Sequence, residues 1–202
     1  MPAVRSEGHG AEVPARDKKV VLRDRSAVLI RQIHNDDGPL LADAFDRLSP
    51  RSRQLRFLRP KHHLTPGELH YFTDIDHHDH EALGALDDAD GRGVGVARYV
   101  RDVDDPHAAE IAVTVIDDWQ GKGLGTALVT RLSDLARQAR IRRFTALVSP
   151  DNVAMTTLLQ NMSAKRVGYG PGTEEYEVSL PPREGPVESG HGGQERKAEC
   201  LT

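Results

Sequence analysis

A glycine-rich loop is the part of this 202-residue sequence whose residue types could most directly bind a ligand. It places Gly121, Gly123 and Gly125, with Lys122 between the first two, directly before a segment with helical periodicity. Glycine lets backbone N–H groups approach a ligand closely, and the N-terminus of a helix attracts negative charge. The loop therefore predicts a pyrophosphate-binding turn. The alternative interpretation is a tight strand-to-helix turn whose glycines serve packing.

Two familiar nucleotide-binding loops do not fit this glycine pattern. A P-loop needs Gly-Lys followed by Ser or Thr, and no such run occurs in the sequence. A dinucleotide-binding fold places its glycines after the first strand, whereas several predicted strands precede this loop. The weaker glycine run at residues 91–95 precedes a strand and is interpreted as part of a hairpin.

The elements that position the loop follow from hydrophobic periodicity and turn residues. Strands are predicted at residues 20–22, 27–33, 82–86, 94–100, 109–116, 144–148, 167–169 and 176–180, and helices at 40–48, around 55–58, from Thr65, and over 124–139 and 152–162. One face of the helix after the loop carries Leu124, Leu128, Leu132, Leu135 and Ala139, as an amphipathic helix requires. The order predicts a mixed α/β domain.

Composition and charge exclude several classes of protein. The chain has 38% hydrophobic residues, which is enough for a folded core, and 27 basic against 31 acidic residues, which gives no general attraction to nucleic acid. Its apolar runs are far shorter than the roughly 20 residues that cross a bilayer, so no membrane span is predicted. The start lacks the apolar stretch of a secretion signal, and the single Cys200 cannot form an internal disulfide. A cytoplasmic location is expected.

Two tails flank one predicted domain. Residues 1–19 and 181–202 are rich in Gly, Pro and charged residues, with only isolated apolar ones, and both are predicted to be disordered. The folded domain is predicted to cover residues 20–180.

A family resemblance combines the loop with what surrounds it. The residues that carry it are 120–125 (QGKGLG), the apolar strand before them at 111–116, and residues 151–155 (DNVAM) downstream. This arrangement resembles the acetyl-CoA-binding core of the GNAT N-acetyltransferases, over residues 20–180. The resemblance implies an α/β fold with a twisted mixed sheet of six or seven strands, flanked by helices, that splays open to admit a thioester.

The resemblance also implies which residues bind acetyl-CoA as the cosubstrate. The loop N–H groups would hold the pyrophosphate, the strand before the loop would pair with the pantetheine arm, and an Asn would contact the cofactor. The implied set is Val113, Thr114, Val115, Gln120, Gly121, Lys122, Gly123, Leu124, Gly125, Thr126 and Asn152. No metal is expected in this chemistry.

Glu110 is the candidate general base. Residues 109–111 (AEI) look like the start of the central strand in protein lysine acetyltransferases, where a Glu has this role. A lysine amine with a pKa of about 10.4 needs a proton acceptor before it attacks a thioester at neutral pH. A carboxylate that faces a cleft, with its pKa raised by burial, suits the task. The alternative is a surface Glu at a sheet edge.

Residues 48–57 (LSPRSRQLRF) and 64–69 (LTPGEL) narrow the resemblance. They look like the catalytic domain of bacterial protein lysine acetyltransferases that modify acyl-CoA synthetases. The expected function is acetyl transfer by direct attack of a primary amine, with a protein lysine as acceptor. The alternatives are acetylation of a small amine and a non-catalytic acyl-CoA sensor.

Two positions depart from the family pattern. Leu159 stands where many members have a Tyr that serves as general acid, and this departure makes the sensor plausible. Ser163 stands where a Gly is usual. A thiol with a pKa near 8.5 is already a fair leaving group, so the missing Tyr does not exclude catalysis.

Two clusters are interpreted without a catalytic role. The histidines of the segment 62–80 are His62, His63, His70, His77, His78 and His80, and they show no recognised metal-ligand spacing. A solvated, pH-responsive loop near the substrate entrance is predicted there. Arg51, Arg53, Arg56 and Arg59 are interpreted as a solvated helix face, too small a cluster for DNA binding.

Overall fold

The computed structural model describes residues 17–182 and forms eight strands and five α-helices within that range. The strands are β1 (Lys18–Val21), β2 (Ala27–Gln32), β3 (His80–Asp87), β4 (Gly93–Arg101), β5 (Ala108–Val115), β6 (Arg143–Val148), β7 (Lys165–Gly170) and β8 (Thr173–Ser179). The helices are α1 (Gly38–Asp46), α2 (Pro50–Phe57), α3 (Pro66–Thr73), α4 (Leu124–Gln138) and α5 (Val153–Asn161). Apart from their inner ends, the predicted tails 1–19 and 181–202 lie outside the described residues. None of the helices within 17–182 combines the length and apolar character that crossing a membrane requires.

The strands form one mixed sheet in the order β1-β2-β3-β4-β5-β6-β8-β7. Helix α4 connects β5 to β6, which pair in parallel, while the other neighbouring strands pair antiparallel. The mixed α/β prediction is confirmed. The sheet has one strand more than the six or seven that the resemblance implied, because the first hairpin adds β1 at the edge, with Lys18 opposite Ile30.

Strands β5 and β6 separate towards their carboxyl ends. They pair only where Ala108–Glu110 of β5 lies beside Arg143–Thr145 of β6. Beyond that point β5 runs on to Val115 and β6 to Val148, but β6 pairs only with β8 there. The β5 edge from Ile111 onward therefore has no strand partner on this side among the described residues. The sheet opens here, as the resemblance implied.

Helix α4 packs against the sheet with the apolar face that the sequence predicts. Leu124, Leu128 and Leu132 are at most 1% exposed. Gly95 on β4 permits the close approach, because a β-carbon there would lie 3.2 Å from the side chains of both Leu124 and Leu128. A larger residue at this position would push the helix away from a close-packed interface.

The short helices α1, α2 and α3 each begin with a proline in the first two positions, where a missing N–H costs nothing. Ser49 caps α2 by accepting a hydrogen bond from the N–H of Ser52 at 3.1 Å. Thr65 and Glu68 form a reciprocal capping box at the start of α3. These caps fix two-turn helices that would be marginal on their own.

Candidate functional site

The opening between β5 and β6 leads into a cleft of about 790 Å³. Its walls are the β5 edge, the glycine loop, α2 with the residues that follow it, and the start of α5. The predicted site residues that line it are Glu110, Val113, Thr114, Val115, Gln120, Gly121, Gly123, Leu124, Gly125, Thr126 and Asn152. The fold thus brings together every predicted site residue except Lys122.

The glycine loop holds two residues in the left-handed region, with φ of +74° at Gly121 and +93° at Gly123. Gly123 is the N-cap of α4 and has no side chain to satisfy the helix N-terminus. The first backbone bond of the helix runs from the N–H of Ala127 to the carbonyl of Gly123. The three N–H groups of the first turn therefore have no intrahelical partner and can donate to an anion.

Lys122 differs from the prediction, because its charge is already paired. Its ammonium lies 2.9 Å from the carboxylate of Asp24, in the turn between β1 and β2, and 4.8 Å from the Trp119 ring centre. Hydrogen bonds from Ser26, and then from Lys122, lower the pKa of Asp24 to about 2. The carbonyl of Lys122 accepts the N–H of Arg23 at 3.2 Å. Lys122 thus fastens the loop to the first hairpin.

Four arginines that were not predicted as site residues line the cleft, and two of them, Arg23 and Arg51, lie near the loop and the start of α5. The Arg23 side chain lies against the loop, with its Nε 3.5 Å from where a β-carbon on Gly123 would be. Arg51 lines the cleft from α2, and its Nη2 is 3.5 Å from the backbone oxygen of Asp151. Arg23 is far from the loop in sequence, so no local pattern reveals it. Arg51 is exposed, in agreement with the solvated-face interpretation, and it also lines the cleft.

Asp117 ties the loop to α2. Its carboxylate accepts from the backbone and hydroxyl of Ser49, at 2.9 and 2.8 Å, and from the hydroxyl of Ser52 at 2.8 Å. Burial opposes ionisation of Asp117, but these bonds outweigh it and lower its pKa. Gln120 closes the same turn by donating to the carbonyl of Val115 at 3.0 Å. Two sides of the cleft are therefore held at a fixed separation.

Glu110 lies where the β5–β6 pairing ends, and its side chain is exposed at the cleft. The prediction that this carboxylate is buried is therefore wrong. Arg56 of α2 interacts electrostatically with this carboxylate. Burial lowers the pKa of Arg56, and the charge of Glu110 partly offsets that effect. The carboxylate has open access for an incoming amine and a cationic neighbour.

Helix α5 contributes a cap but no phenol to the cleft. The Asn152 side chain accepts from the N–H of Met155 at 3.1 Å, which leaves its amide NH₂ as a donor. Leu159, at the position of the family Tyr, is 0% exposed in the core and does not line the cleft. No tyrosine lines the described part of the cleft. Ser163 has φ of +60°, which explains the usual Gly.

The solvated-loop prediction for the histidine-rich segment is wrong for two of its residues. His77 lies 2.9 Å from the carboxylate of Glu81, which is 2% exposed and also accepts from Gln32 at 2.7 Å. The half-buried His80 lies 3.1 Å from Arg98. No group of three or more His, Cys, Asp or Glu suited to hold a metal occurs within residues 17–182.

The solvated-face interpretation is wrong for Arg53 and Arg56 of α2, which are half-buried, whereas Arg59 just beyond the helix is exposed. Arg53 stacks over the ring of Phe45 at 4.5 Å and donates to three backbone carbonyls. Arg56 and Arg59 line the cleft. The sequence carried no signal for these contacts, because α2 lacks a strong apolar stripe that would show which face meets the sheet.

Comparison with known proteins agrees with this geometry. The model of the acetyltransferase (GNAT) family matches residues 44–163. The chain is 37% identical over 139 residues to acetyltransferase PA5475 of Pseudomonas aeruginosa, covering 68% of this chain and 74% of that protein. It is 35% identical over 114 residues to acetyltransferase Pat of Mycolicibacterium smegmatis, covering 56% of this chain and 34% of that longer protein.

Solved structures give the same result. The GNAT domain of S. lividans PAT superposes with a TM-score of 0.78 at 30% identity, covering 84% of this chain and all of that one. A cAMP-binding acyltransferase from Mycobacterium smegmatis has a TM-score of 0.60 at 28% identity, and the match spans 48% of its length. The sheet that opens beside β5, the glycine loop at the start of α4 and the family match together place this chain in the GNAT family of N-acetyltransferases.

Proposed function

We propose that the protein transfers the acetyl group of acetyl-CoA to the side-chain amine of a protein lysine. The observation that carries the proposal is the position of Glu110, an accessible carboxylate at the point where the β5 edge loses its strand partner. A donor bound along that edge would present its thioester beside this carboxylate.

The donor site would use mainly backbone groups. The unpaired edge at Val113–Val115 suits the amides of a pantetheine arm, because such an edge offers N–H and C=O groups to an extended partner. The first turn of α4 suits the pyrophosphate, with Arg23 as a nearby cation. Asn152 would donate its amide NH₂ from the start of α5. The side chain of Lys122 would act indirectly, by holding the loop.

The chemistry is a direct attack. The lysine nitrogen forms a bond to the thioester carbonyl carbon, the carbon–sulfur bond breaks, and the CoA sulfur leaves as a thiolate. Glu110 accepts the proton of the amine, directly or through water. The thiolate leaves without a tyrosine acid, since a thiol pKa near 8.5 makes it a fair leaving group at neutral pH.

A protein acceptor is favoured because Glu110 is exposed, so that a lysine on another protein's surface can reach it. Two of the relatives reported above carry the name Pat. The earlier resemblance to enzymes acting on acyl-CoA synthetases makes such a synthetase a candidate acceptor. The buried Leu159, which stands in place of a tyrosine acid, favours the alternative of a non-catalytic acyl-CoA sensor. Acetylation of a small amine is the third possibility.

The test is acyl transfer from radiolabelled acetyl-CoA in a lysate of the protein's own host. We expect label in a discrete protein band with the full chain and none with Glu110→Gln. Glu175→Gln, which alters an exposed acid on β8 outside the cleft, is the matched control and should label as the native protein does. Label confined to small molecules would favour the small-amine alternative. CoA binding with no transfer would favour the sensor.

A further inference from the structure

A second cavity lies between the sheet and helices α1–α3, with a volume of about 90 Å³, which is room for several water-sized groups. Its walls are mostly apolar, with Leu48 and Phe45 among them. It meets the main cleft at four residues that line both spaces, namely Arg56, Phe57, Ala112 and Thr114. Two of these belong to β5, the strand proposed to bind the donor arm.

Three arginines line this cavity, the half-buried Arg31 and Arg56 and the buried Arg98, and Arg31 differs from Arg98 in its counter-charge. Arg31 donates two hydrogen bonds of 2.6 Å to the carboxylate of Asp37, a bidentate ion pair. Arg98 is only 6% exposed, and within residues 17–182 no carboxylate forms an ion pair with it. Arg98 thus lacks the carboxylate partner that Arg31 has in Asp37. A buried charge without such a partner is costly.

The contacts of Arg98 leave donor capacity unused. Its guanidinium lies 4.4 Å from the centre of the Phe72 ring, donates to the carbonyl of Phe72 at 3.3 Å and lies 3.1 Å from Nε2 of His80. A guanidinium has five N–H donors, and these contacts engage two of them. Burial, and then the neighbouring charge of Arg56, lower the pKa of Arg98 to about 9.

We propose that this cavity binds the acyl chain of a second class of donor, a short CoA thioester that ends in a carboxylate, such as succinyl-CoA. The methylene groups would occupy the apolar part of the cavity, and the terminal carboxylate would pair with Arg98. The inference rests on the proposed function, because it assumes that CoA binds along β5.

The transfer step would be the one already described. The amine nitrogen bonds to the thioester carbonyl carbon, the carbon–sulfur bond breaks, the CoA thiolate leaves and Glu110 accepts the amine proton. The terminal carboxylate of the chain is unchanged, so the step needs no further reactant.

The position of the cavity favours the donor over the acceptor as the source of the carboxylate. The cavity opens at Ala112 and Thr114, further along the donor strand than Glu110. Glu110, where the acceptor amine is proposed to approach, does not line the described cavity. A chain attached to the thioester would enter the cavity at Ala112 and Thr114 and approach Arg98 from the cleft.

The test compares three stable probes by calorimetry on the full chain: CoA, S-butyl-CoA and S-(3-carboxypropyl)-CoA. The last two carry chains of similar length and differ in the terminal charge. We expect the carboxylated probe to bind at least about tenfold more tightly than S-butyl-CoA, since hydrogen bonds to charged groups are the strong ones. Equal binding of these two probes by the native protein would overturn the inference.

Three variants test whether the preference for the carboxylated probe depends on Arg98 and on the cavity. Arg98→Met should remove the preference for the carboxylated probe and leave CoA affinity unchanged. Ala44→Leu keeps the charge but fills the cavity, and should weaken both substituted probes relative to CoA. Arg166→Met, on β7 outside both spaces, should change nothing. A preference that survives in Arg98→Met would refute the assignment, whereas no binding of CoA itself would refute the proposed donor site.

Discussion

The two halves of the cleft are built from different groups. In the proposed donor half, formed by the β5 edge and the loop at residues 120–125, the groups available to a ligand are mainly backbone N–H and C=O. In the proposed acceptor half, formed by Glu110 and Arg56, they are side chains carried by β5 and α2. Under the proposed function, this difference determines where substitutions act: chemistry would depend on single side chains, while donor binding would depend on backbone conformation.

The largest effect should come from the acceptor half. Glu110→Gln removes the proton acceptor and should lower kcat by about 10²- to 10⁴-fold. CoA affinity should stay near the native value, because the backbone donor site is unaltered. Steady-state rates and calorimetry on the same preparation check both statements. A parallel loss of CoA affinity would break the separation between the two halves.

Gly123→Ala should give the largest effect in the donor half. At φ of +93° a β-carbon costs about 1–2 kcal/mol, and relief of the strain would move the first turn of α4. We expect CoA affinity to fall roughly tenfold. Gly172→Ala is the matched control, since Gly172 has φ of +73° and nothing within 4 Å. It should lose similar stability in thermal unfolding but keep native CoA affinity.

The two cations near the loop, Arg23 and Lys122, should differ in how much their substitution weakens CoA binding. Arg23→Met should weaken CoA binding about fivefold at low salt and less at high salt, as expected for a phosphate contact that ions screen. The double variant Asp24→Asn/Lys122→Met removes the ion pair at constant net charge and should change affinity by less than about twofold. A larger loss in the double variant than in Arg23→Met, if high salt reduces it as it should reduce a phosphate contact, would assign the pyrophosphate contact to Lys122; a loss that salt leaves unchanged would reflect release of the loop.

The smallest effect concerns stability alone. Ser163→Gly places glycine at φ of +60°, directly after α5. Relief of left-handed strain exceeds the added chain entropy of the unfolded state, so stability should rise by up to about 1 kcal/mol. Thermal unfolding measures the gain. Turnover should not change, and a marked change would show that α5 positions catalytic groups.

The features that the sequence could predict include part of the proposed donor half of the cleft. The glycine loop, the capped start of α3 at Thr65 and the apolar face of α4 all depend on residues close together in the chain. Local patterns therefore predicted these elements correctly, and the glycine loop with the start of α4 forms part of the proposed donor half. The strand edge that opens beside Ile111 followed from the family resemblance, not from any local pattern.

The remaining features depend on packing between distant segments. Arg23 meets Gly123 only because the first hairpin folds against the loop, and Lys122 is neutralised by the same contact. The arginines of α2 looked solvated because nothing in their spacing shows that the helix lies over β5. The burial of Arg98 without a carboxylate partner within residues 17–182 is likewise a property of the assembled fold.

The contact between the first hairpin and the glycine loop has a consequence for dynamics. Arg23 and Lys122 are joined by a backbone hydrogen bond, although almost a hundred residues separate them in the chain. A ligand that orders the loop therefore also holds the edge of the sheet near the start of the chain, and opening of that edge becomes coupled to ligand release. Amide hydrogen exchange in Ala27–Gln32 should consequently slow when CoA binds, even though that strand lies outside the cleft.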